Sequence, residues 1–234
     1  MSNDKYPTRS SDAQVAEFLR QVAMTPARPA GGQGRLIFAL DATASRQPTW
    51  DQACQIQGEM FSETAALGGL AIQLVWYRGF GEFSASPWLV DSARLLRQMT
   101  SVRCLGGMTQ IGRVLQHAID ETRTHKINAL VFIGDCVEES VDGLCGLAGE
   151  LGLLGTPVFV FHEGSEPYAA DALRQIARLS RGAYCTFDAG SARQLRELLG
   201  AVAVYAAGGR RALEDLGRRK GGLVLQLTHQ MGKG

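Results

Sequence analysis

Two hydrophobic rhythms alternate along this chain. Largely apolar runs occupy 35-RLIFAL-40, 70-LAIQLVWY-77, 128-NALVFIGD-135 and 157-PVFVFHEG-164. A half-exposed strand would alternate apolar and polar residues, so runs like these predict strands covered on both faces. Stretches with helical spacing lie between them. In 110-QIGRVLQHAIDETR-123, Ile111, Val114, Leu115, Ala118 and Ile119 share one face. Helices are also predicted over 49–67, 91–99, 142–153 (broken by glycines) and 167–182, the last with Pro167 near its start and Gly182 at its end. The sequence 183-AYCTFD-188 follows, and then a helix from residue 192. After 79-GFG-81, the segment 82-EFSA-85 predicts a short hairpin partner at a sheet edge.

Strands alternating with helices imply crossover units. The expected fold is α/β and doubly wound: a mostly parallel central sheet, helices on both faces, and one short antiparallel edge strand. Ahead of it, 13-AQVAEFLRQVAM-24 sets Val15, Phe18, Leu19 and Val22 at helical spacing, and 25-TPARPAGGQG-34 has a linker composition. The expected division is a helix and Pro/Gly linker over 1–34, a domain over 35–207, and a helical, partly basic extension over 208–234. The N-terminal helix is expected to pack on the domain, with a recruitment arm as the alternative, and 209-GRRALEDLGRRKG-221 to be a solvated helix, with a basic docking surface as the minority reading. The apolar 223-LVLQL-227 has no assigned place.

Composition narrows the setting more than the fold. A formal net charge of +1 over 234 residues gives no overall field pointing to nucleic acid or membrane. Five scattered cysteines without a C-x-x-C pair suit free thiols in a reducing compartment. The start, 1-MSNDKYPTRSSDAQVAEF-18, lacks the layout of a secretory leader, and no run of apolar residues is long enough to span a bilayer. A cytoplasmic protein is expected.

The chemistry gathers where strands end. In open α/β sheets, ligands bind beyond the carboxyl ends of the strands. The first run stops at Asp41 and continues as 42-ATAS-45; the loop 104-CLGGMTQ-110 precedes a long helix; a later run stops at Gly134-Asp135. Asp41, Thr43, Ser45, Thr109 and Asp135 are all hard oxygen donors, suited to Mg²⁺ or Mn²⁺, whereas Zn²⁺ would prefer His and Cys. In an extended turn, alternate side chains face the same way, so Thr43 and Ser45 are expected on the side of Asp41. Gly106 and Gly107 are expected to allow a close backbone approach that positions Thr109.

These residues resemble a von Willebrand factor type A (VWA) domain and its metal-ion-dependent adhesion site, written D-x-S-x-S…T…D. The resemblance covers roughly 35–205. It implies that Thr43 and Ser45 ligate a cation directly, that Thr109 does so in the ligand-binding state, and that Asp41 and Asp135 act through water or by hydrogen bonds to the hydroxyls. It also implies that an Asp or Glu of a partner protein completes the shell. AAA+ ATPases and multisubunit machines such as metal chelatases are the partner class it suggests. Two departures stand out: Thr43 replaces the first Ser, and the third loop reads 134-GDCVEE-139. Glu138 and Glu139 would tighten a cation or repel an acidic partner, and Arg46 would do the reverse. His162 reads as a plain loop histidine, and His117 as solvated.

The expected function is therefore a metal-dependent protein-interaction module rather than an enzyme. The alternatives are a Mg²⁺-dependent phosphohydrolase and a metal-free scaffold of the same fold. The usual phosphohydrolase motif would need a second Asp at position 43, no His-paired nucleophile is visible, and no G-x-x-x-x-G-K-[ST] phosphate loop occurs.

Overall fold

The strand Gly34–Asp41 (β1) shows why its apolar run has no gaps. Leu36, Phe38 and Leu40 enter one apolar cluster, and Ile37 and Ala39 enter another on the opposite face. The same split holds for Ala129–Gly134 (β4), where Val131 and Ile133 face the first cluster and Leu130 and Phe132 the second. Both faces of the sheet are thus covered, as strands of unbroken hydrophobicity require. This is the architecture of a computed structural model that describes residues 16–18, 20–22, 33–64, 69–187 and 192–220.

Four further strands complete the sheet: Leu70–Arg78 (β2), Glu82–Ala85 (β3), Val158–Glu163 (β5) and Ala183–Phe187 (β6). Their order is β3-β2-β1-β4-β5-β6, with every pairing parallel except β2 with β3. Helices Gln47–Thr64 (α1), Ser92–Thr100 (α2) and Ala192–Lys220 (α6) supply the cluster on one face. Helices Ile111–Thr124 (α3), Val141–Leu154 (α4) and Pro167–Leu179 (α5) supply the cluster on the other. The doubly wound α/β fold expected from the alternation, with its antiparallel edge strand, is the fold observed.

The two ends of the described chain join the first cluster. Phe18 and Val22 are fully buried, and the Phe18 ring stands 5.4 Å from Phe161 and 6.2 Å from Phe159. Helix α6 is broken at Gly209, where φ is 67° and ψ −163°, and then buries Ala212 and Leu216. Ala212 and Leu216 therefore set this part of the helix against the domain rather than in solvent. The segment 223–227 lies outside the described residues.

Candidate functional site

The chain runs β1, β2, β3 in one direction across the sheet and β4, β5, β6 in the other, so the order reverses between β1 and β4. A crevice opens beyond the carboxyl ends of the strands at such a point. Asp41 is the last residue of β1, and Asp135 follows β4 directly. Gly134 keeps the approach close: a Cβ there would lie 2.8 Å from the Phe132 ring and 3.6 Å from the Asp41 Cβ.

Asp41 is only 2% exposed. Its Oδ1 accepts a 2.7 Å hydrogen bond from the Thr43 backbone N–H. Its Oδ2 is buried with no hydrogen-bond partner among the described residues, and so is the hydroxyl of Tyr77, its register neighbour on β2. The two groups interact without completing a hydrogen bond of good geometry. Burial pushes the Asp41 carboxyl up to about 6; the Thr43 hydrogen bonds oppose that rise and the Asp135 charge adds to it. Burial, then the Asp41 charge, hold the Tyr77 phenol well above its ordinary range.

Beyond Asp41 the chain does not stay extended. Thr43 is extended, but Ala44–Arg46 form a 3₁₀ turn closed by Arg46 N–H donating to the Thr43 carbonyl at 2.9 Å. The turn, rather than strand-like alternation, sets Ser45 Oγ 3.4 Å from Thr43 Oγ1. Ser45 Oγ donates to Asp135 Oδ2 at 3.1 Å. Ala42, which the alternation turned away from the site, is buried in the apolar cluster below. Asp41, Thr43, Ser45 and Asp135 thus form one connected group, with Ser45 at the solvent boundary.

Thr109 sits on the same edge but joins a different partner. Its backbone N–H donates to Glu138 Oε2 at 2.8 Å, and its Oγ1 accepts from the Glu138 N–H at 3.0 Å. Among the described residues no hydrogen bond ties it to Asp41, Thr43 or Ser45. Glu139 accepts from the N–H groups of Ile111 at 2.6 Å and Gly112 at 2.8 Å, so it caps α3 from another loop. The pair of acids therefore holds the Thr109 loop and the start of α3.

The two glycines before Thr109 differ. A Cβ on Gly107 would lie 2.1 Å from the Gly79 carbonyl oxygen, whereas one on Gly106 would meet nothing within 4 Å. Gly107→Ala should destabilise the protein by about 1–3 kcal/mol, because backbone must shift to admit the methyl. Gly106→Ala should melt within a degree or two of the wild type. Thermal unfolding of the two variants side by side checks this.

Arg46 belongs to the site in a way its position in the sequence does not advertise. Its side chain is buried; it forms an ion pair with Glu163, reaches Asp135 Oδ2 at 3.0 Å, and its Nε donates to Ser45 Oγ at 3.3 Å. Thr49 also donates to Glu163. Glu163 ends β5, so a third strand stops on an acid at this edge. The stretch 157-PVFVFHEG-164 carried that signal, but a lone strand-end Glu gave no hint of its partner.

Both histidines differ from expectation. His162 lies inside β5, fully buried, with Nε2 3.2 Å from the Asp135 carbonyl and Nδ1 2.7 Å from the Tyr184 hydroxyl. It supports the β4 end from beneath, and burial lowers its pKa. His117 is half-buried, 2.9 Å from Gln73 Oε1, and burial lowers its pKa too. Among the described residues no three His, Cys, Asp or Glu side chains gather as a metal cluster. Any cation at this edge would therefore depend on hydroxyl and water oxygens.

No known family profile matches the chain, and no curated protein sequence does. Solved structures match its fold. The SpRpn10 VWA domain aligns with a TM-score of 0.56 at 14% identity, over 71% of this chain and 94% of that one. An aerotolerance-related membrane protein from Bacteroides fragilis aligns at 0.52 with 16% identity, over 71% and 98%. Proximal thread matrix protein 1 from the mussel byssus, in a form whose MIDAS motif holds zinc, aligns at 0.51 with 16% identity, over 76% of this chain and 49% of its own length. At these identities the likeness is one of fold: the chain has the VWA fold.

Proposed function

We propose that this chain uses its VWA fold as a metal-dependent protein-interaction module. A Mg²⁺ or Mn²⁺ ion is held at the carboxyl edge of the sheet by the hydroxyls of Thr43 and Ser45, and by Thr109 when a partner is bound. Asp41 and Asp135 hold it through water or through those hydroxyls. The observation that carries this reading is Asp41 Oδ2, a buried carboxylate oxygen that no hydrogen bond of good geometry satisfies, with the Tyr77 hydroxyl as its neighbour. Such an atom costs about 1–3 kcal/mol or more unless something satisfies it. The donor set is hard oxygen throughout and fits Mg²⁺ or Mn²⁺. A bound ion supplies positive charge and an open position for a carboxylate of a partner protein. Ser45 at the solvent boundary leaves that position reachable. The partner class is one with an accessible Asp or Glu, such as an AAA+ ATPase or a subunit of a larger complex.

A metal-free scaffold is the second reading, and Arg46 is the observation that favours it. A guanidinium already placed beside Asp135 and Ser45 neutralises part of the negative charge a divalent ion would use. Titration calorimetry separates the two. The wild type should bind one Mg²⁺ or Mn²⁺, and Asp41→Ala should bind none; a silent wild type, folded by circular dichroism, decides for the scaffold. Metal-dependent phosphate release from a generic phosphomonoester would instead revive the phosphohydrolase. The setting proposed is cytoplasmic, which five free thiols suit. Among the described residues no helix is long and apolar enough to cross a membrane.

A further inference from the structure

The sheet edge that carries Asp41 also carries an apolar rim. Of the eight large apolar side chains that stand exposed among the described residues, three gather there: Phe80 at 89%, Met108 at 51% and Leu105 at 50%. Phe80 tips the β2–β3 hairpin, and the other two flank Gly106 and Gly107. The two segments are fastened together and to the site. Met108 N–H donates to the Gly79 carbonyl at 3.2 Å, and Leu105 N–H donates to the Ala42 carbonyl, next to Asp41, at 3.0 Å. Single exposed apolar residues are ordinary, but a fixed group of three beside a candidate binding site marks a contact surface.

Two cations stand beside the same segments. Arg113 donates to the Gly81 carbonyl at 2.7 Å and lies 4.8 Å over the Phe83 ring. Arg103 offers its carbonyl to Arg78. Both side chains are exposed, and neither has an acidic partner among the described residues.

We propose that Phe80, Leu105 and Met108 are a docking surface for a partner-protein segment that mixes acidic and apolar residues, with Arg103 and Arg113 meeting its flanking acids. The proposal rests on the preceding reading for the acid that reaches the cation. The apolar contact supplies burial, and the arginines supply charge complementarity and orientation. Glu82 and Glu138, on the same edge, put negative charge among the arginines. That mixture suits a segment with discrete charges better than an anionic lipid surface.

A randomised dodecapeptide library displayed on phage and selected against the full chain in Mg²⁺ supplies the probe. Selected peptides are then synthesised and measured by fluorescence anisotropy against wild type, Phe80→Ser, Met108→Ser and Arg103→Glu/Arg113→Glu. The expected consensus sets Asp or Glu beside Leu, Ile or Phe, and each serine variant weakens binding by roughly tenfold. The charge-reversed variant should weaken it further at low salt than at high salt. No selected peptide, a consensus without an acid–apolar pair, or unchanged affinity in both serine variants overturns the proposal. So does Phe80-dependent binding to vesicles of phosphatidylcholine and phosphatidylserine in place of peptide. Repeating the titrations with chelator separates the two readings. Binding that needs Phe80 but not metal keeps the docking surface and removes the cation; binding that needs metal but ignores Phe80 and Met108 does the opposite.

Discussion

Asp41→Asn should make the metal-free protein more stable at pH 8, while removing its response to Mg²⁺. The folded-state value of Asp41, about 6, stands above its ordinary 3.8, so the folded protein holds this proton more tightly than the unfolded chain does. The group therefore favours the fold fully below pH 3.8, and that contribution is lost as pH rises through about 6. Above that, the buried carboxylate costs about 3 kcal/mol relative to an unshifted acid, at ~1.36 kcal/mol per tenfold change in proton affinity. Asn keeps an oxygen for the Thr43 N–H and carries no charge, and its amide has the Tyr77 hydroxyl as a neighbouring acceptor. In chelator at pH 8 the melting temperature should rise by roughly 6–12 °C, and at pH 4 the difference should nearly vanish. Added Mg²⁺ should raise the melting temperature of the wild type only, because a ligand stabilises the state that binds it. A variant that melts lower than the wild type in chelator at pH 8 would show that Asp41 is already satisfied without metal.

Arg46→Met should be among the most damaging single changes in the domain. It would take the guanidinium from the buried Glu163 carboxylate, which keeps Thr49, and from Asp135, which keeps Ser45. Removing one partner of a buried ion pair costs about 3–5 kcal/mol, because the survivor keeps its desolvation penalty. Adding Glu163→Gln should recover most of that loss, since Gln still accepts from Thr49 and brings no charge. Denaturant melts of the two single variants and the double variant give the coupling; additive losses would mean that the pair does not act as one. The double variant also tests the rival readings. If Arg46 opposes a cation, Arg46→Met/Glu163→Gln binds Mg²⁺ more tightly than the wild type. If the guanidinium instead orients Ser45 and Asp135, it binds more weakly.

The elements were legible because each carried its own period. The hairpin partner expected over 82–85 is Glu82–Ala85, and the helix expected over 110–123 is Ile111–Thr124. That Asp41, Thr43, Ser45 and Asp135 share one edge was legible because each lies at or just past the end of a strand. Arg46 was not: a long cation beside a polar turn defaults to solvent, and Glu163, which holds it inward, is 117 residues away. Glu138 and Glu139 were visible as charge near the site, but the charge is turned to backbone. The start of α3 is satisfied by Glu139, 28 residues on from Ile111. Pairings across such separations depend on how loops meet, which local pattern does not encode.

Phe18 changes what counts as the smallest workable piece of this protein. The linker composition before Arg35 invites a cut there, yet the helix ahead of it fills the space beside Phe159 and Phe161. A chain shortened at Arg35 would keep every proposed metal donor and every residue of the rim. It would also uncover two aromatic rings on β5, a sticky patch apart from the rim. Clumping of such a fragment, and any apparent partner it captured through that patch, would report the missing helix and not the proposed cation site.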